Sequence, residues 1–450
     1  RHSQPIGKII EVLGNYADPG MEIEIALRKH ELPFEFSPKV AAETKALPDK
    51  VRKTEWAGRK DLRDLPLVTI DGETAKDFDD AVFAEKDGRG WRLVVAIADV
   101  SHYVRPGMAL DREAMERGNS VYFPRRVIPM LPEKLSNGLC SLNPDVERLA
   151  MVCDMNIGST GKIKTYAFYP AVFRSKARLT YNQVWSWLDG GAQPENEVHR
   201  ELLPQLESLY ALFKVLLKAR HKRGAIDFET IETMMLFNDQ GKIENIVPVQ
   251  RNDAHRLIEE CMLAANVCAS AFLQKHKQAC LYRIHEGPTP EKLEALRSFL
   301  HEFGLGLPGG ENPTAKDYGA LLEKIKERPD AQLLQTVMLR SLRQAMYSPD
   351  NVGHFGLSYE HYTHFTSPIR RYPDTMVHRL LTRYQAGGRS VNEKHYEELC
   401  EHSSEMEQIA QNAERDSIKR ISLDWTSRKS INFTNIQIDK PNKSGEPKFY

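Results

Sequence analysis

Carboxylates crowd together at one place in this chain. Asp71, Asp77, Asp79 and Asp80 fall within ten residues, in Ile70-Asp71-Gly72-Glu73-Thr74-Ala75-Lys76-Asp77-Phe78-Asp79-Asp80, with the spacing D-x5-D-x-D-D. Such neighbours repel one another, and burial raises their pKa values unless a cation neutralises them. A hard divalent ion takes oxygen ligands. Mg²⁺ usually keeps some waters and binds one or two carboxylates together with substrate phosphates. The cluster therefore reads as a Mg²⁺ or Mn²⁺ site for phosphoryl chemistry. On spacing alone, a solvated acidic turn explains it equally well. An EF-hand calcium loop does not fit, because the position that needs glycine, counted from Asp77, holds Val82.

The elements around the cluster decide how it is held. Apolar runs at 67–70 and 81–84 flank it and read as strands, so the aspartates are expected on a loop pinned at both ends to a sheet. Residues 91–99, 151–157 and 163–173 read as further strands, and 111–118 as a short helix. Helical patterns dominate later, at 200–223, 253–275, 290–303, 331–347, 368–384 and 393–420. In the second of these, Leu257, Cys261, Ala264, Ala265 and Cys268 share one stripe. Early strands and late helices define an α+β fold. Near the N-terminus, 7–14 and 21–33 read as strand-like stretches, and 46–60 as a polar linker.

A second segment has its own logic. Thr366-Ser367-Pro368-Ile369-Arg370-Arg371-Tyr372 carries Ser before Pro, a helix-start pattern. A helix N-terminus attracts phosphate, and arginine grips it with two parallel hydrogen bonds. An ordinary capped helix with surface arginines fits the same residues. His354, His361 and His364 lack the Cys or Asp pattern of a transition-metal site, although His361 and His364 could share a helix face.

Composition bounds the rest. The 450 residues suffice for one large catalytic domain with fragments of others, and 41% of them are hydrophobic, enough for a core. No run of eighteen apolar residues is present, so no membrane partner is expected. The N-terminus reads as the middle of a domain, and no signal-peptide pattern is expected there. The six cysteines form no C-x-x-C pairs, which argues against zinc and fits a reduced, cytoplasmic setting. Sixty-two basic residues balance sixty-two acidic ones, so net charge does not advertise nucleic-acid binding. The local cluster of Lys214, Lys218, Arg220, Lys222 and Arg223 reads first as a solvated helix face.

IDGETAKDFDDAV (70–82) resembles the signature of the RNB family of exoribonucleases. The resemblance continues, in the family's order, through IADVSHYV (97–104), SVYFPRRVIPMLPEKLSNGLCSLNP (120–144) and HFTSPIRRYPD (364–374). It implies an RNB catalytic domain at 61–420, with a mixed β-sheet flanked by helices. The C-terminal part of a cold-shock or OB-type β-barrel would precede it at 1–45, joined by the linker at 46–60. Residues 421–450 stay unassigned, since the family's further OB-fold domain is expected there and this stretch is too short for one.

The resemblance also implies roles. Asp71, Asp77, Asp79 and Asp80 map onto metal and catalytic aspartates, with Asp71 and Asp80 as direct ligands and Asp79 as the residue whose loss most damages chemistry. Asp77 joins Asp79 and Arg370 in catalysis, and Arg370 clamps the scissile phosphate. Tyr122 matches an aromatic clamp on the 3′-terminal base and Phe228 its partner farther along the strand, although core packing is the ordinary fate of a lone aromatic such as Phe228. Tyr181, Glu259 and Glu414 match positions near the ribose 2′-hydroxyls. The implied activity is processive, Mg²⁺-dependent hydrolysis of single-stranded RNA in the 3′→5′ direction, releasing nucleoside 5′-monophosphates, by a monomer. A catalytically silent RNA-binding relative and a metal-dependent endoribonuclease are the alternatives. The retained aspartates speak against the first and the terminal-base aromatics against the second.

Overall fold

Six apolar residues in succession, 93–98, are all fully buried in one strand, and the main sheet is built outward from it. The structure is a computed structural model in which residues 8–15, 18–228, 232–388 and 393–430 are described. In chain order, helices α1 (Met21–Lys29) and α2 (Pro38–Ala46) precede strands β1 (Lys60–Asp61), β2 (Thr69–Asp71), β3 (Asp80–Asp87) and β4 (Gly90–Ala98). Short helices α3 (Val100–Tyr103) and α4 (Ala109–Arg117) lead to a hairpin of β5 (Val121–Phe123) and β6 (Arg126–Ile128). Strands β7 (Glu147–Ile157), β8 (Ile163–Arg174) and β9 (Arg178–Thr180) follow. Then come helices α5 (Tyr181–Leu188) and α6 (Glu197–Arg223), hairpin β10 (Thr233–Phe237) and β11 (Ile243–Pro248), and helix α7 (Asp253–Lys275). Strand β12 (Tyr282–Ile284), helices α8 (Pro290–Glu302), α9 (Ala315–Ile325) and α10 (Ala331–Ser341), strand β13 (Met346–Ser348), and helices α11 (Tyr372–Gln385) and α12 (Glu393–Ser430) complete it.

The main sheet runs β1-β8-β7-β4-β3. Strand β1 pairs parallel with β8, and the other neighbours pair antiparallel, so the sheet is mixed. Inner strand β4 has Val94, Val95, Ala96 and Ile97 fully buried, as a strand covered on both faces requires. Helix α6 lies against β3, and α7 against β4. All five stripe residues of α7 are buried. Helix α7 is long and apolar enough to cross a membrane by composition, but 67% of its apolar window is buried inside the protein, as in a core helix. Strand β2 pairs parallel with β9, and a bridge from Val68 to Val82 ties it to β3.

Two smaller cores stand apart. Helices α8, α9 and α10 close one around Leu300, Tyr318, Ile325 and Leu334. The other joins α1, the β5–β6 hairpin and α12 through Leu27, Val121, Phe123, Ala410 and Ala413.

Several expectations are corrected. Residues 21–29 are helical, not strand-like, although Met21, Ile23 and Ile25 alternate with Glu22 and Glu24. The acidic first turn and basic last turn suit a helix dipole, and burial of Ile23, Ala26 and Leu27 settles the competition. Residues 8–15 form no strand, and Ile9, Ile10 and Val12 are exposed. The polar stretch at 46–60 is tied down rather than loose: Arg59 pairs with buried Asp99 at 2.7 Å and Glu55 meets His102 at 2.9 Å. The helix expected over 331–347 stops at Ser341, and Met346–Ser348 pairs with β12 instead. Helix α11 starts at Tyr372, with Pro373 in its first turn, so Pro368 belongs to the turn before it. The last helix runs on to Ser430, past the expected end at 420; residues 431–450 lie outside the described part. Within the basic cluster of α6, Arg220 is buried and bonds Glu259 and Glu260 at 2.9 Å each.

Candidate active site

The aspartate loop is stretched between two strand ends. Asp71 is the last residue of β2 and Asp80 the first of β3. Phe78, between Asp77 and Asp79, is buried and anchors the loop in the main core. Ser141, fully buried, clasps it from behind: its hydroxyl accepts from the Phe78 N–H at 3.0 Å and donates to the Lys76 carbonyl at 2.7 Å. The Leu142 N–H donates to the Phe78 carbonyl at 3.0 Å. Backbone bonds on both sides of Phe78 leave the carboxylates of Asp77 and Asp79 little freedom.

All four aspartates line one cavity of about 690 Å³, together with Tyr122, Tyr181, Glu259 and Arg370. Burial raises the Asp71 carboxyl above the usual range, and the neighbouring charge of Asp77 adds to the rise. Burial, then the charge of Asp71, lifts Asp80 to about 7. Burial also pushes Asp79 well up, against the opposing pull of Arg370. One oxygen of Asp79 accepts from the Ile369 N–H at 2.8 Å. The other is buried with no hydrogen-bond partner, 3.7 Å from the Arg370 Nε.

This donor set fits a divalent cation. An orphaned buried carboxylate oxygen and three carboxyls with raised pKa values are costly alone, and a cation would offset the cost. No group of three or more His, Cys, Asp or Glu side chains among the described residues forms a ready-made cage. An ion that keeps waters and shares its shell with substrate phosphate needs only one or two carboxylates.

Arg370 sits on the turn before α11 rather than on a helix N-terminus. Its guanidinium donates to the Ser367 hydroxyl at 2.9 Å. The turn is fixed by Asp374, whose fully buried carboxylate accepts from the Ser367 N–H and from Arg371, each at 2.8 Å. Arg371 is thus held by a buried partner and is 19% exposed, while the Arg370 side chain is 43% exposed; both line the cavity.

The structure treats the expected RNA contacts unequally. Tyr122, 40% exposed at the middle of β5, donates its hydroxyl to Asp77 at 3.1 Å. Its backbone N–H donates to the Glu414 carboxylate at 2.7 Å, so these two residues, far apart in sequence, are adjacent. Tyr181 stacks on His255 with ring centres 4.0 Å apart. Glu259 accepts from Arg220 and Arg251 at 2.9 Å each. Phe228 is not in this cavity. It packs against the core of α8–α10 and lines a neighbouring cavity of about 370 Å³ that shares Arg251 and Glu259 with the first. His361 and His364 lie outside any helix; each bonds one hydroxyl at 2.7 Å, that of Ser270 and Tyr347 respectively.

Sequence reasoning passed over Ser141, Asp374, Arg251 and His255. Ser141 and Asp374 stand within the quoted segments, but nothing in a lone serine or a post-proline aspartate signals a buried clasp. Arg251 and His255 reach the cavity only because α7 lies beside β4.

Four aspartates thus reach one cavity between the end of β2 and the start of β3, the edge strand of the mixed sheet, and face an arginine turn. A family model described as the RNB domain matches residues 59–387, and the chain belongs to the RNB family. A cold shock domain model matches residues 1–37. Ribonuclease R of Vibrio cholerae serotype O1 is 55% identical over 382 residues, covering 85% of this chain and 46% of that protein. Ribonuclease R of Escherichia coli K12 is 52% identical over 438 residues, covering 94% of this chain and 54% of that protein. The chain thus spans about half the length of these curated relatives. Among solved structures, Mycoplasma genitalium RNase R in complex with ribose-methylated single-stranded RNA superposes with a TM-score of 0.86 at 33% identity, over 92% of this chain and 65% of that one.

Proposed function

We propose that this chain is a hydrolytic 3′→5′ exoribonuclease that uses Mg²⁺, or Mn²⁺ in its place, and degrades single-stranded RNA processively to nucleoside 5′-monophosphates. The observation that carries the reading is the single cavity shared by four aspartates, Arg370 and an exposed tyrosine. Support comes also from relatives named ribonuclease R at more than 50% identity.

Asp71 and Asp80 would hold the ion, with Asp77 and Asp79 completing the acidic wall. Bound there, a divalent cation supplies charge neutralisation on the phosphate and a more acidic water. Arg370 contributes a fixed positive charge toward the scissile phosphate, where negative charge grows in the transition state. Asp79 orients the attacking water through its unpartnered oxygen, while its other oxygen keeps the Arg370 turn in place. Tyr122 stacks on the 3′-terminal base, and Phe228 contacts the strand farther back. Tyr181, Glu259 and Glu414 face the ribose hydroxyls, which distinguish RNA from DNA. Residues 1–45 belong to an RNA-capturing module in this reading, and 61–420 to the catalytic domain.

The test is Asp79→Asn. Asparagine keeps an oxygen for the Ile369 N–H and removes the charge. The expected outcome is loss of Mg²⁺-dependent cleavage with RNA affinity within a few-fold of the parent. A variant that still cleaves, or one that loses binding as completely as cleavage, refutes the assignment.

A further inference from the structure

The hairpin that carries Tyr122 is not held by the catalytic domain alone. Its outer face is covered by two helices from outside the matched RNB region of 59–387: α1 and α12. Ile23, Ala26 and Leu27 of α1 pack with Val121, Phe123 and Ile128 of the hairpin. Glu24 of α1 pairs with Arg126 of β6 at 2.7 Å. On α12, Ala410 and Ala413 close the same small core, and Glu414 receives the Tyr122 N–H. Asp416 of α12 reaches back to Lys29 and His30 at the end of α1, with 2.9 Å to His30.

The chain leading into the hairpin is gripped in the same way. Arg117, 3% exposed, donates to the Pro33 carbonyl at 2.8 Å and to the Glu35 carbonyl at 2.7 Å. Beyond it, the Ser120 N–H donates to the Arg370 carbonyl at 3.0 Å, and the Tyr372 N–H donates to the Gly118 carbonyl at 2.9 Å. One ribbon, residues 117–123, therefore has the segment 21–35 on one side and the Arg370 turn on the other. A displacement of α1 has a direct mechanical route to both Tyr122 and Arg370.

We infer that α1 is a positioning element for the active site: it sets the place of the Tyr122 hairpin and so couples the N-terminal segment to where the RNA end is held. The coupling rests on the reading of Tyr122 as the terminal-base clamp given above. No contact of α1 with RNA is required. Helix α1, the hairpin and α12 brace one another, since each pair shares both apolar packing and an ion pair or charged hydrogen bond.

The test uses the full chain with Leu27→Ala, which opens the small core, and Glu24→Ala, which removes the surface pair with Arg126 together with the Glu24–Arg28 pair within α1. Leu321→Ala, in the separate core of α8–α10, controls for general loosening. Two readouts are taken: backbone hydrogen exchange over residues 118–128, and the size of the final fragment left from 5′-labelled single-stranded RNA. Leu27→Ala should speed exchange through the hairpin and shift the final fragment in the same direction as Tyr122→Ala, with no further shift in the double variant. Glu24→Ala should do the same to a smaller degree, and Leu321→Ala should do neither. Unchanged hairpin exchange in Leu27→Ala overturns the inference. So does an equal change in the Leu321→Ala control. Faster exchange in Leu27→Ala with an unchanged final fragment, where Tyr122→Ala does shift it, also overturns the inference; a fragment unchanged in Tyr122→Ala itself overturns instead the assignment of Tyr122 to the RNA end.

Discussion

Replacing Asp80 with asparagine should make the metal-free protein more stable, although it removes a residue assigned to the metal. Asp80 lies beside Asp71 in a buried wall, and its carboxyl is lifted from 3.8 to about 7 by burial first and by the Asp71 charge second. A folded-state pKa above the unfolded one means that the folded state binds more protons between those two values. Stability therefore falls as pH rises from about 4 to about 7, and levels off above that. A shift of about three units corresponds to about 4 kcal/mol, and partial access to solvent reduces this to about 2–4 kcal/mol. Asparagine carries no charge and escapes the cost. In chelator, urea unfolding at pH 8 should show Asp80→Asn more stable than the parent by that amount, with the gap shrinking toward pH 5. Added Mg²⁺ should stabilise the parent more than the variant, because the ion binds the folded state only. If the variant in chelator is no more stable than the parent at pH 8, or if the gap does not depend on pH, the carboxylates are not under the electrostatic load described.

Tyr122→Ala should weaken binding of short RNA by about 1–3 kcal/mol, the usual worth of one base stacked on an aromatic ring. It should also change the length of the final fragment, and titration of a short labelled strand with denaturing gels of its digest checks both. Asp374→Ala should strip Arg371 of its buried partner and cost about 3–5 kcal/mol of stability, read from the denaturant midpoint. With the Ser367–Arg370 turn loosened, it should lower kcat more than it raises KM in steady-state assays of the folded fraction.

The parts of this molecule that local pattern decides could be read in the chain. Strand β4 carries a continuous apolar run over 93–98, and α7 keeps its stripe from Leu257 to Cys268, so the elements on either side of the core were legible. The spacing of the four aspartates between two apolar runs was enough to place them on one loop. Helix α1 was not legible, because Met21-Glu22-Ile23-Glu24-Ile25 alternates like a strand and only its packing on α12 and the hairpin makes it a helix. Pro368 and Pro373 each offer a helix start, and the choice of the second follows from Asp374 pulling Ser367 and Arg371 together. Phe228 matches an RNA-contacting aromatic by its neighbours in sequence; that its ring lies in a cavity beside the carboxylates is set by its packing on the core of α8–α10, which those neighbours do not record. The meeting of Tyr122 with Glu414 depends on α12 crossing the hairpin, which no local pattern records.

The measurement that bears most directly on the central claim is a time course of 5′-labelled single-stranded RNA with the full chain, in Mg²⁺ and in EDTA. The site described here predicts that full-length label passes straight to one very short fragment in Mg²⁺ and stays intact in EDTA. Scattered internal fragments, or binding without any cleavage in Mg²⁺, would contradict a processive 3′→5′ exonuclease.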